Sequence, residues 1–285
     1  MLLDILKDTV ADSIRLVPFL FLTYVFMEWL EHHSSDKTQK KIRTAGKSGP
    51  LWGAVLGMLP QCGFSAAASS FFAGRVITLG TLIAIYLSTS DEMLPVMISQ
   101  AAPIAMIAKV LLAKVVIGVI SGLIVEIVYE RFMHHKNSDI HIHEMCEKEH
   151  CHCEDGIFLS AAKHTLRIFV YIFVIALLLN GAIALIGEET LAKAMSGVPL
   201  IGELTAALVG MIPNCASSVV ITQLYLDKII GAGAMMSGLL CNAGIGILVL
   251  VRLNKDWKQN TAIIALLYVI SVIWGVLIRF SGIVF

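Results

Sequence analysis

Residues 57–65 read GMLPQCGFS, and residues 210–218 read GMIPNCASS. Each copy places a proline, a side-chain amide, a cysteine and a hydroxyl residue inside an apolar stretch. Proline ends or kinks a helix. A helix broken at membrane depth survives only where protein or a wet cavity satisfies the freed backbone groups. The pair therefore predicts two interrupted membrane segments, which we interpret as a transport site. The alternative is two proline kinks with cysteines that only pack.

The composition is that of a membrane protein. Apolar residues make up 57% of the chain and charged residues 15%, whereas soluble domains carry about 25% charged residues. Several apolar stretches reach the roughly 20 residues that cross a bilayer; they are 13–30, 104–128, 165–186 and 262–278. The net charge of zero argues against a nucleic-acid partner. The acidic start shows no cleavage site of a removable signal peptide. We expect an all-α, polytopic protein in the lipid bilayer.

The chain contains an internal duplication. A shift of 153 residues (210 minus 57) aligns 49–95 with 202–248, and 11 of these 47 positions are identical. We therefore expect a first membrane repeat over 1–132, a His/Cys-rich loop over 133–156 and a second membrane repeat over 157–285. Duplicated halves with interrupted segments at matching places indicate a secondary transporter.

The charge distribution bears on orientation. If each motif is a re-entrant hairpin, each half crosses the membrane three times and the two repeats are inverted, each also carrying a broken helix. The basic loops 32–49 and 252–258 then share one side, which Lys/Arg excess marks as cytoplasmic. The loop 133–156 is cytoplasmic in this arrangement, and both termini are periplasmic. The alternative is that both motif segments cross fully, which places the loop outside despite its basic flanks.

Two acids interrupt another apolar segment. Asp91 and Glu92 lie within 76–100, and a carboxylate at membrane depth is a functional candidate. The alternative is that these acids reach the outer interface. Lys114 is deep enough in the next helix to pair with either acid. The candidate substrate-binding set combines both motifs with both later interruptions: Gln61, Cys62, Ser65, Thr89, Ser90, Asp91, Glu92, Asn214, Cys215, Ser217, Ser218, Cys241 and Asn242.

The loop between the halves is rich in soft metal ligands. Imidazole and thiolate together suit zinc, nickel, cobalt or copper better than magnesium or calcium. The spacing matches no closed structural zinc motif, so we expect a low-complexity metal-binding tract. The alternative is a solvated linker. The transport cycle requires no cofactor, and a transition-metal ion is expected only here, on His141, His143, Cys146, His150, Cys151, His152 and Cys153.

A cysteine follows the proline in both repeats, and 89–92 read TSDE. With these features the chain resembles the bacterial arsenic efflux permease-like family, whose members are also named manganese transporters. The resemblance covers nearly the whole chain apart from the His/Cys-rich loop. It implies ten membrane segments and an exporter of a metal or metalloid in the bacterial inner membrane. Manganese favours oxygen ligands, whereas trivalent arsenic favours thiolates, and the residues allow either.

We therefore expect a secondary active exporter that works by alternating access, coupled to protons or to the membrane potential. It is not expected to be an enzyme. An intramembrane hydrolase using Cys62, Asp91 or Glu92 would lack a histidine base at membrane depth. A third class is a channel or a transporter that seats an organic anion between the two hairpin tips. No P-loop is present, and a homo-oligomer stays open.

Overall fold

The computed structural model describes residues 10, 14, 17–18, 20–26, 48–59, 62–90, 92–132, 157–186 and 200–285. Residues 20–26 are helical. The helices with defined bounds in this part of the chain are α1 (Gly49–Gly57), α2 (Cys62–Ala73), α3 (Leu79–Ser88), α4 (Met93–Ser99), α5 (Ile104–Phe132), α6 (Ile157–Ile186), α7 (Ile201–Gly210), α8 (Cys215–Leu226), α9 (Ala232–Cys241), α10 (Gly246–Leu253) and α11 (Trp257–Phe280). The all-α architecture predicted from the sequence is therefore confirmed.

Long apolar helices dominate the molecule. Five helical segments among the described residues are long and apolar enough to cross a membrane, namely Leu79–Ser99, Ile104–Arg131, Ala161–Leu178, Ala232–Leu253 and Trp257–Phe280. One face of α11 leaves Val269, Ile273 and Leu277 about half exposed. Their spacing of four residues forms an apolar stripe along one side of the helix. An apolar stripe on the outside of a helical bundle is a surface suited to lipid.

The duplication seen in the sequence reappears in the helix boundaries. The bounds of α2 and α8 differ by 153 residues at both ends, and so do those of α3 and α9. The starts of α4 and α10, and of α5 and α11, differ by the same number. Arg75 and Lys228, also 153 residues apart, both adopt a left-handed conformation, with φ of 57° and 59°. The two halves thus fold into the same series of elements.

The first motif forms a helical hairpin. Gly49 lies against Thr81 and Gly57 lies against Ser88, so α1 and α3 run in the same direction. Only 74–78 join α2 to α3, and this link reaches at most about 21 Å. If α2 continued in the direction of α1, its end would lie roughly 30 Å from the start of α3. The α2 helix must therefore turn back beside α1.

The second half follows the same path. Glu203 contacts Gly233 and Ser237, whereas Ala206 and Gly210 contact Gly238, so α7 and α9 are parallel. Residues 227–231 join α8 to α9, a link of the same length as in the first half. Both motifs are therefore tips of hairpins whose two arms, at about 14–18 Å, are too short to cross a bilayer. This agrees with the hairpin interpretation of the sequence.

The two halves pack by exchanging equivalent elements. The first hairpin's α2 packs on α10, and the second hairpin's α8 packs on α4. Ser121 and Trp274, which are equivalent positions, are joined across the halves by a 2.9 Å hydrogen bond from the indole Nε1. Since α2 and α10 both begin at the Ser65–Gly246 contact and lie side by side, α10 runs back toward the start of α3. The two broken helices therefore run in opposite directions, as expected of an inverted repeat.

Candidate functional site

The first broken helix is interrupted between α3 and α4. Its hydroxyl groups bond to nearby carbonyl oxygens: Thr89 Oγ1 donates to Ile85 O at 2.7 Å, and Ser90 Oγ donates to Ser88 O at 3.1 Å. Both side chains are buried. Such local bonds let a helix end without leaving its polar groups unsatisfied. The Glu92 side chain is half buried at the start of α4 and makes no capping hydrogen bond there.

The second broken helix is interrupted between α9 and α10. Asn242 closes this break with its own side chain, because its Oδ1 accepts a hydrogen bond from Gly244 N at 2.9 Å. The Cys241 thiol is fully buried and hydrogen-bonds to Ser271 on α11. Asn242 thus lies within the turn of the break, whereas Cys241 faces the helix behind it.

Lys114 of α5 joins the two breaks. Its Nζ donates to Thr89 O, where α3 ends, and to Leu239 O in the last turn of α9, the latter at 3.0 Å. The side chain is only 1% exposed. A helix C-terminus carries a partial negative charge of about half an electron, so an ammonium group is favourable between two such ends. The carbonyl ends of both broken helices therefore meet at one buried cation.

The first hairpin touches the second break directly. Ser69 Oγ donates to Gly246 O at 2.7 Å and lies 2.7 Å from the Tyr86 hydroxyl. A Cβ built on Gly246 would lie only 2.8–2.9 Å from Ser65 Cβ and from the carbonyl group of Ser65. Only glycine fits such an approach of two backbones. Ser65 is thereby fully buried at the crossing of the two halves.

In the second hairpin the candidate residues cap a helix. Asn214 is the N-cap of α8, and its Oδ1 accepts a hydrogen bond from Ala216 N at 3.3 Å. Ser217 Oγ donates to Asn214 O at 2.8 Å. Ser218 O accepts from Thr222 Oγ1 at 2.7 Å, and in the first hairpin Ser65 O accepts from Ser69 Oγ at the same distance. Asn214, Ser217 and Ser218 are all buried.

The remaining candidates are placed in part or not at all. Cys62 and Cys215 are the first residues of α2 and α8, and only their backbone is described. Gln61, Asp91 and the loop ligands His141, His143, Cys146, His150, Cys151, His152 and Cys153 lie outside the described residues. Among the side chains that are described, no three His, Cys, Asp or Glu residues form a group able to hold a metal ion.

Sequence reasoning missed Ser69, Tyr86 and Gly246, and it offered Lys114 only an acidic partner. A signal for Ser69 was present, because Ser65 and Ser69 lie four residues apart on one helical face. Their equivalents, Ser218 and Thr222, keep a hydroxyl group at both positions. No pattern within one half could show that Ser69 reaches Gly246, since that contact spans 177 residues.

The chain has now been compared with known proteins. Residues 1–187 match the model of a family described as "Putative, 10TM heavy-metal exporter". The chain belongs to this family. The matched region includes the first hairpin and the first broken helix, and it ends before the second hairpin begins. Neither a curated protein nor a solved structure matches the chain.

Membership in this exporter family agrees with the resemblance stated from the sequence. A transporter family with ten membrane segments also fits the long apolar helices. The chain is thus a multi-pass membrane protein from a family of heavy-metal exporters, and a metal ion is the substrate that the family implies.

Proposed function

We propose that this chain exports a metal or metalloid ion by alternating access, from a site where the two hairpins meet the two broken helices. The observation that carries the proposal is the meeting of both breaks at Lys114, next to the crossing of Ser65 and Gly246. Broken helices at corresponding places of two repeats form the substrate sites of secondary transporters.

Alternating access requires contacts between the halves that form and separate. The crossing at Gly246 is such a contact in the first hairpin, where α2 packs closely on α10. At the equivalent place of the other half the buried side chain of Met93 replaces a glycine. We propose that the halves rock about this region, with the breaks on opposite sides of the membrane midplane, both termini periplasmic and the His/Cys-rich loop cytoplasmic.

The ligands of the site follow from its residue types. Cys62 and Cys215 begin α2 and α8, and negative charge is stabilised at a helix N-terminus. They are therefore candidate thiolate ligands for a soft ion. Asp91, Glu92, Asn214 and Asn242 supply oxygen atoms that suit manganese. Coupling to protons or to the membrane potential is proposed for the acidic pair in the first break.

A growth assay tests the function. An efflux-deficient bacterial strain carrying the full-length protein is grown on a panel of Mn²⁺, Zn²⁺, Co²⁺, Ni²⁺, Cu²⁺ and arsenite. We expect resistance to at least one of them, lost in both Cys62→Ala and Asp91→Asn. Resistance that survives in both variants would show that the site lies elsewhere.

A second experiment addresses coupling. Purified protein in liposomes is supplied with the metal found in the growth assay, with and without a pH gradient or a membrane potential. Flux that responds to neither gradient would contradict the coupling. Density for an elongated organic molecule between the hairpin tips would instead favour an organic-anion transporter.

A further inference from the structure

The Lys114 ammonium occupies a place built for a cation. It is held by the carbonyl oxygens of Thr89 and Leu239, which belong to the broken helices of different halves. In secondary transporters, unwound carbonyls and half-helix C-termini are the groups that coordinate transported or coupling cations. The lysine head group thus lies where a cation would be expected to bind.

The packing of the helices does not require this charge. The position equivalent to Lys114 in the second half is Leu267, which is also fully buried. Both residues lie at the matching place of a long helix, since α5 and α11 begin 153 residues apart. Burying an ammonium group costs several kcal/mol before its partners compensate, on the order of that for other buried ions. A leucine that fills the equivalent position shows that the fold is built without this cost in the other half.

The hydroxyl groups of the first break do not replace the ammonium. Ser88 Oγ and Thr89 Oγ1 both donate to Ile85 O, and Ser90 Oγ donates to Ser88 O. In the second break, the Asn242 side chain accepts from Gly244 N. The carbonyl oxygens of Thr89 and Leu239 are instead contacted by a side chain on a long, flexible stem. Such a group can withdraw without unfolding either break.

We propose that Lys114 is a tethered cation that fills the site of the empty transporter, and that the transported metal binds to the carbonyl oxygens of Thr89 and Leu239 in its place. This inference rests on the proposed function and narrows its substrate class to a divalent metal cation. The ammonium neutralises the two helix ends when no metal is bound, so the halves can close empty. The metal must displace it, and metal release lets it return.

The experiment compares Lys114→Met with Lys109→Met in the purified full-length protein. Lys109 lies on the same helix and its side chain is exposed, so Lys109→Met is expected to behave like the wild type. The apparent affinity for Mn²⁺, or for Zn²⁺ if Mn²⁺ is not transported, is measured by titration calorimetry. If the ammonium fills the site about nine-tenths of the time, Lys114→Met binds the metal about tenfold more tightly. Its flux in liposomes falls, because release and empty closure lose their counter-charge.

Unchanged or weaker metal binding by folded Lys114→Met would overturn the inference. If that variant does not fold, Lys114→Arg decides, because its bulkier and permanently charged head group should weaken metal binding; unchanged affinity then overturns the inference. A wild-type protein that transports arsenite, an uncharged species, but binds none of the divalent metals refutes the inference and leaves the proposed function standing. A wild-type protein that transports neither arsenite nor any metal refutes both.

Discussion

The two broken helices share a backbone plan and differ in their chemistry. Both end their first arm with a turn that begins at equivalent residues, Ser88 and Cys241, and both restart at equivalent residues, Met93 and Gly246. The first break brings a half-buried carboxylate, Glu92, where the second has the buried Ile245. Duplication therefore supplied a symmetric frame, and the polar groups that act on an ion are concentrated in one half.

The two hairpins differ in the same sense. The first reaches the second break through Gly246, whereas the second faces the buried side chain of Met93. One crossing is thus closer than the other. In an inverted-repeat transporter such a difference is expected of a conformation closed toward one side, with the opposite conformation exchanging the two packings.

The largest effect is expected from Gly246→Ala. The new Cβ would meet the Ser65 backbone at 2.9 Å, and backbone atoms cannot rotate away. Overpacking of this kind costs about 1–3 kcal/mol, which corresponds to a loss of flux of about tenfold to a hundredfold if the crossing must close. Flux into liposomes is the measurement. The control is Gly181→Ala, where a Cβ meets nothing within 4 Å; equal flux in the two variants would remove the crossing from the cycle.

The carboxylates at the helix starts also separate the halves. Glu203 is 2% exposed and pairs with Arg279, which is 40% exposed, at 3.0 Å. Its counterpart in the first half is Glu126, which accepts from Gly80 N at 2.9 Å without an arginine. We expect Glu203→Gln to lower the free energy of unfolding by about 2 kcal/mol, below the cost of breaking a fully buried pair because Arg279 remains partly solvated.

The control for that change is Glu126→Gln, which keeps an oxygen acceptor for Gly80 N and is expected to cost about 1 kcal/mol. Both values come from denaturant unfolding of the purified protein in detergent. A larger loss in Glu126→Gln than in Glu203→Gln would reverse the assignment of the stronger electrostatic contact to the second half.

Removing one hydroxyl group tests the unequal crossings. Ser69→Ala deletes the bonds to Gly246 O and to the Tyr86 hydroxyl, which leaves buried polar groups unsatisfied at a cost of about 1–3 kcal/mol. Thr222→Val deletes only the bond to Ser218 O within α8 and is expected to cost less than about 1 kcal/mol. Unfolding in detergent measures both. Equal costs would mean that the first crossing is no tighter than the second.

The smallest change in stability is expected at Asn214. Its cap is worth about 1 kcal/mol, so Asn214→Ala lowers stability by that amount. Asn214→Ser keeps a capping oxygen and removes the amide, so this variant should keep its stability and lose flux if the amide binds the ion. Asn214→Ser with wild-type flux would reduce the residue to a helix cap. The measurements are unfolding in detergent and liposome flux on the same preparations.

Much of the frame could be predicted from the sequence. The repeat of 153 residues, the two motifs and the interrupted segments depend on proline, glycine and apolar length, which act locally along the chain. Lys109 and Lys114 were predicted to lie on different faces of one helix, and the structure confirms it with one exposed and one buried side chain.

The contacts between halves could not be predicted in this way. The bond from Lys114 to Leu239 O spans 125 residues, and that from Ser69 to Gly246 O spans 177. They depend on how the halves pack and involve backbone oxygens, which leave no mark on residue type. Cys241 illustrates the same limit, because spacing placed it in the break and packing turned its thiol toward Ser271.

The most direct measurement asks whether the ion binds in the membrane core. The histidines and cysteines of 133–156 are all replaced by alanine in the full-length protein, and metal binding and liposome flux are measured beside the wild type. The account predicts that both persist in this variant and are lost when Cys62→Ala or Asp91→Asn is added. Loss of flux and binding in the loop variant alone, with both retained in Cys62→Ala and Asp91→Asn, would contradict it.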